Sequence, residues 1–67
     1  MNAELLHQKI DGSGLKLGYI AAQLGMTPVG FSRKLKLGTE FKPTQINTLC
    51  DLLRIVDPNE RKEIFLI

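Results

Sequence analysis

Glycine and proline punctuate this chain so closely that nothing between them is long enough for more than a short helix, and every piece has helical periodicity. From about Asn2 to Ile10, Leu6 and Ile10 stand four apart with Ala3 a turn earlier, until Gly12-Ser13-Gly14 ends the run. From about Lys16 to Leu24, Leu17, Ile20, Ala21 and Leu24 repeat at i, i+3, i+4, i+7, one face of an amphipathic helix. Gly25 follows where a helix end commonly needs a left-handed residue. Thr27-Pro28 then reads as an N-cap followed by the first helical position, opening a helix to about Lys36. Ile46, Leu49, Cys50 and Leu53 repeat the stripe from about Pro43 to Leu53, with no clear N-cap. Asp57-Pro58-Asn59-Glu60 opens the last helix, with Glu60 at the position from which a capping-box acid reaches back. No segment alternates as a strand does. The expected fold is therefore all-α, a compact bundle of four to five short helices forming one domain over residues 1–67.

Length restricts this fold further. A chain of 67 residues buries only about 60% of its extended surface, so the core must be small and economical. A 43% hydrophobic content is too high for disorder at a net charge of +2. No apolar tract is long enough to span a bilayer, and no signal peptide is visible, so a soluble intracellular domain is expected. The single cysteine forms no internal disulfide, and metal-ligand spacings are missing, so neither a metal nor a cofactor is expected. An enzyme is not expected either: no nucleophile–base set, carboxylate pair or phosphate-cradling glycine loop is present.

The net charge says little, but its distribution says more. Residues 16–42 carry Lys16, Arg33, Lys34, Lys36 and Lys42 against Glu40, while each flank sums to −1. A basic middle suits a polyanion-binding surface, although an ordinary solvated face has the same appearance. The spacing of helices two and three adds direction. Only Gly25, Met26 and Thr27 separate them, and helices joined by so short a glycine-containing link cross steeply, as in a helix-turn-helix. At about 100° per residue, Phe31, Leu35 and Pro28 fall together on the core side. Val29, Ser32, Arg33 and Lys36 fall roughly opposite. These outward groups suit a DNA major groove: Arg33 for guanine O6 and N7, Val29 for a thymine methyl, Ser32 and Lys36 for a base edge or the backbone. Thr27 and the free N–H groups of the helix start can hold a phosphate. Lys16, Lys34 and Lys42 are spaced for phosphate contacts, which supply affinity and register but little sequence information. Tyr19 either reaches a phosphate or covers the core.

The stretch Leu17-Gly18-Tyr19-Ile20-Ala21-Ala22-Gln23-Leu24-Gly25-Met26-Thr27, with Phe31-Ser32-Arg33-Lys34-Leu35, resembles the lambda-repressor-like Xre/Cro family of helix-turn-helix regulators. Ala21 matches the small residue where the two helices touch, Gly25 the turn, and Phe31 the anchor of the recognition helix. The resemblance covers most of the chain, with the helix-turn-helix over about residues 16–36. It implies a bacterial or phage transcription regulator of repressor type, acting in the cytoplasm at the nucleoid and binding a double-stranded DNA operator as a homodimer. It puts the base-reading positions on Thr27, Pro28, Val29, Ser32, Arg33 and Lys36. The chain departs from the family at Leu17, where a phosphate-gripping glutamine is common and Lys16 would substitute. It also departs at Pro28, which has no donor, and at Leu37, one residue before Gly38, where a glycine commonly ends the recognition helix.

Other features have plainer expectations. Cys50 shares the stripe of Ile46, Leu49 and Leu53 and reads as a small buried residue. His7 has no second histidine or cysteine near it in sequence. Gly18 reads as merely tolerated, and Gly30 is open between tolerance and close approach. Ile64, Phe65, Leu66 and Ile67 cannot all be buried by one helix face, so they either pack across the first helix or meet a second copy at a twofold interface. The alternative function is a small protein-interaction module, antitoxin-like or polymerase-binding, on the same fold.

Overall fold

The computed structural model describes residues 1–66, which form five helices and no strand: α1 Ala3–Ser13, α2 Leu17–Gln23, α3 Pro28–Leu37, α4 Pro43–Leu53 and α5 Pro58–Phe65. They pack into a body of 29 × 22 × 20 Å. None of these helices is long and apolar enough to cross a membrane.

Local chemistry explains most boundaries. Asn2 caps α1, its Oδ1 accepting from the Leu5 N–H at 3.2 Å. The helix runs through Gly12, past its expected end near Ile10, because the break comes at Gly14 with φ +74. Ser13 closes this turn by donating from Oγ to the Ile10 carbonyl at 2.6 Å and accepting from the Leu15 N–H at 3.1 Å. Thr27 caps α3 as the sequence predicts, its Oγ1 accepting from the Gly30 N–H at 3.1 Å. Lys42 takes the N-cap position of α4, a poor residue for it, and Gln45 compensates by accepting the Lys42 N–H on Oε1 at 2.9 Å. In α5 the cap is Asp57, accepting from the Asn59 N–H at 2.9 Å. Glu60 does not complete the expected capping box. Its Oε1 faces Lys9 of α1 at 2.8 Å, an opposite charge that outcompetes the local backbone donor.

The core gathers Leu6 and Ile10 of α1, Ile20 and Ala21 of α2, Phe31 and Leu35 of α3, the α4 stripe, and Ile64 and Phe65 of α5. Cys50 lies inside it as expected, and burial pushes its thiol pKa up, partly opposed by the nearby Arg61 guanidinium. In α2 only the middle pair of the expected stripe is fully buried. Leu17 is partly exposed at the N-terminal edge and Leu24 is half-buried, because a seven-residue helix reaches past the core at both ends. Phe41 and Ile55, both outside helices, complete the core. The Phe31 and Phe41 rings meet at 5.9 Å between centroids, tilted by 51°, a favoured aromatic geometry. α1 packs on α3, α4 and α5, and the Asn2 N–H donates to the Ile64 carbonyl at 2.6 Å. The C-terminal apolar residues therefore pack inward. Ile64 and Phe65 are each 1% exposed, so neither offers surface to a second copy. Of the expected interface residues that are described, Ile64, Phe65 and Leu66, only Leu66 is exposed; Ile67 lies outside the described residues.

Candidate nucleic-acid interface

α2 and α3 are joined by a turn that the backbone closes on itself. Met26 N–H donates to the Ala21 carbonyl at 2.8 Å and Gly25 N–H to the Ala22 carbonyl at 3.0 Å. Gly25 has φ +70, a conformation that an L side chain adopts only with strain. Ala21 is fully buried and Met26 packs against the core, so the turn is tied down from both sides. Two glycines flank this corner. A Cβ on Gly18 would meet Pro28 Cγ at an ordinary 3.9 Å, consistent with tolerance. A Cβ on Gly30 would stand 3.1 Å from Thr27 Oγ1, so a glycine there leaves room for the α3 cap.

α3 is held by Phe31 and Leu35, both buried, while Val29, Ser32, Arg33 and Lys36 are exposed. Among the described residues none of the side chains of Ser32, Arg33 and Lys36 forms a hydrogen bond or ion pair. Pro28 departs from its expected core-side position and is exposed, because the first helical residue lies at the edge of the packed surface. It remains at the head of the same helix.

The start of α3 is poorer in free donors than the sequence suggests. Pro28 has no N–H, the Gly30 N–H goes to Thr27 Oγ1, and the Phe31 N–H goes to the Thr27 carbonyl at 2.9 Å. Val29 alone keeps a free amide in that turn. Thr27 Oγ1 already accepts from the backbone, so its hydroxyl proton remains available to donate.

The surrounding cations divide into two groups. Lys16, at the N-cap of α2, and Lys42, at the N-cap of α4, are exposed, as is Tyr19 at half its full surface. Lys34 differs. It is half-buried, its Nζ donates to the Glu40 carbonyl at 3.1 Å, and it lies 5.1 Å over the Phe41 ring. Its position on the flank of α3, not on the outward row, turns it toward the α3–α4 loop. Lys34 thus helps fix that loop, using one of its three ammonium donors and leaving the others for the phosphate contact expected of it. Leu37, expected only as a departure from the resemblance and not as a contact residue, is exposed at 72% in the last turn of α3. Its spacing of four residues from Arg33 was the available signal.

The arrangement presents a guanidinium, an ammonium, a hydroxyl and an aliphatic side chain from one rigid helix, with no carboxylate anywhere on α3. Such a surface can donate hydrogen bonds to acceptors on an anionic polymer and touch apolar groups between them. No group of three or more histidine, cysteine or acidic side chains positioned for a metal occurs among the described residues. No protein-family model, curated protein or solved structure matches the chain.

Proposed function

We propose that this chain is a sequence-specific DNA-binding transcription regulator of the lambda-repressor-like helix-turn-helix type, reading the major groove with α3. One observation carries the reading: α3 is pinned by Phe31 and Leu35 while its opposite side, with Val29, Ser32, Arg33 and Lys36, is bare and cationic. All four are outside the core, and Ser32, Arg33 and Lys36 have no side-chain partner among the described residues. Arg33 reads guanine, Val29 and Ser32 meet neighbouring base edges, and Thr27 and Lys36 reach a base or the backbone. Pro28 lies at the head of the helix against the groove wall. Lys16, Lys42 and the Tyr19 hydroxyl grip phosphates. The regulator acts as a homodimer on a roughly palindromic operator in the bacterial cytoplasm, with half-sites about 34 Å apart. Leu66 is the exposed apolar residue from which a twofold contact at the C-terminal end of α5 would be built.

Selection of bound sites from random duplex DNA, followed by titration at two salt concentrations, tests this. The expected result is an enriched palindromic site whose affinity falls steeply as salt rises, because neutralised phosphates release counterions. Absence of any DNA binding at low salt, with a protein co-purifying instead, would favour the interaction-module reading. That second reading draws on Val56 and Leu66, both exposed apolar residues away from α3.

A further inference from the structure

We propose that Val29 and Leu37 make α3 a reader of pyrimidine C5-methyl groups on both sides of the guanine read by Arg33, an inference that rests on α3 being the DNA-reading helix. Val29 is 67% and Leu37 72% exposed. Exposed aliphatic residues scattered singly need no explanation. These two are not scattered. With Arg33 they fall at i, i+4 and i+8, within about 80° of one another at about 100° per residue and centred opposite Phe31 and Leu35. The ridge therefore runs aliphatic, guanidinium, aliphatic along the side of the helix farthest from the core.

The chemistry of the groove selects the occupant. Charge argues for a polyanion, since Arg33 and Lys36 are exposed on the same helix and α3 has no acid. Within the major groove the apolar feature on base edges is the C5-methyl of thymine. An aliphatic side chain facing cytosine or a purine there would displace water from polar edges and give nothing in return. At about 1.5 Å rise per residue, Val29 and Leu37 each stand about 6 Å along the axis from Arg33. A helix in the major groove is inclined to the DNA axis, and residues three or four apart on it meet successive bases, so each methyl lies about one base pair from the guanine. The half-site is thus a guanine flanked at that distance by thymine on both sides. Leu37 takes the flank touched by the C-terminal turn of α3, and Val29 the flank touched by the first turn.

The test uses the full chain and its selected site, resynthesised with deoxyuridine replacing thymine one position at a time, which removes a methyl and leaves every hydrogen-bonding group in place. Two positions should each lose about fourfold in affinity, the worth of one buried carbon. The loss at one should vanish in Leu37→Ala, and at the other in Val29→Ala. Both variants change exposed residues, and an unchanged melting temperature verifies that they fold. If no uracil substitution alters affinity, or if the losses persist in both variants, methyl reading is overturned, while a guanine preference abolished by Arg33→Ala would leave the DNA-reading proposal intact. If no sequence is enriched at all, the DNA-reading proposal fails, and this inference with it.

Discussion

α3 and α5 begin alike and end differently. Each opens on a capping residue followed by proline, Thr27-Pro28 and Asp57-Pro58, and each buries two side chains, Phe31 with Leu35 and Ile64 with Phe65. On α5 two polar side chains beyond the cap are matched inside the chain: Glu60 faces Lys9 at 2.8 Å, and Arg61 donates to Asn47 Oδ1 at 2.8 Å, while Lys62 and Glu63 are exposed without such partners among the described residues. On α3 the polar groups of the outward row have no such partners among the described residues, and only Lys34, off that row, is engaged. The two arginines make the contrast concrete. Arg61 ties α5 to α4, whereas Arg33 is available to something outside the chain.

The comparison breaks first at its anchor. Phe31→Ala should cost about 3–5 kcal/mol, typical of truncating a buried aromatic, and a denaturant melt should show most of this small domain's stability gone. A mild effect would mean that α3 is not held as described. Exchanging the two arginines' fates is the next test. Arg33→Ala should leave the melt unchanged and lose about 1–3 kcal/mol of affinity for the selected site, relaxing preference at one base pair. Arg61→Ala should leave DNA affinity unchanged and cost about 0.5–1.5 kcal/mol of stability through the lost Asn47 bond. If both variants behaved alike in both assays, the distinction between the helices would disappear.

Smaller effects sharpen it. Thr27→Ala and Asp57→Ala should each destabilise by about 1 kcal/mol, since each removes a side-chain cap, on the Gly30 N–H in one case and the Asn59 N–H in the other. Lys9→Gln should cost less, under about 1 kcal/mol, with the loss fading as salt rises, because the Lys9–Glu60 pair is partly exposed. The smallest effect concerns Cys50. Its folded pKa is raised above the ordinary 9.0 chiefly by burial, so folding favours the protonated thiol. That contribution is complete below the ordinary value and is lost as pH climbs above it. An alkaline series of melts should therefore decline less in Cys50→Ala than in the parent chain. In Arg61→Ala the thiol should titrate higher still, because an opposing positive charge has gone.

Much of this was legible from residue order, for a physical reason. Caps, prolines and glycines act through bonds within three or four residues, so Thr27, Gly25 and Asp57 announce their turns without knowledge of neighbours. The α4 stripe was legible because a helix surrounded by others buries one continuous face. Where position within the bundle mattered, residue order was silent. Nothing local said that Glu60 would prefer Lys9 to its own cap, that Phe41 and Ile55 would leave their loops for the core, or that Lys34 would fold back over Phe41.

What the sequence by itself determined is the all-helical class, the five segments and the two-sided character of α3, all consequences of short-range periodicity and capping. What only the tertiary structure decided is which polar groups are matched and which apolar ones are covered. Ile64 and Phe65 went inward because α1 packs on α5, while Leu37 stayed outside because it lies on the side of α3 opposite the buried Phe31 and Leu35. Burial and pairing depend on distances between residues far apart in the chain, and those are set only when all five helices have packed.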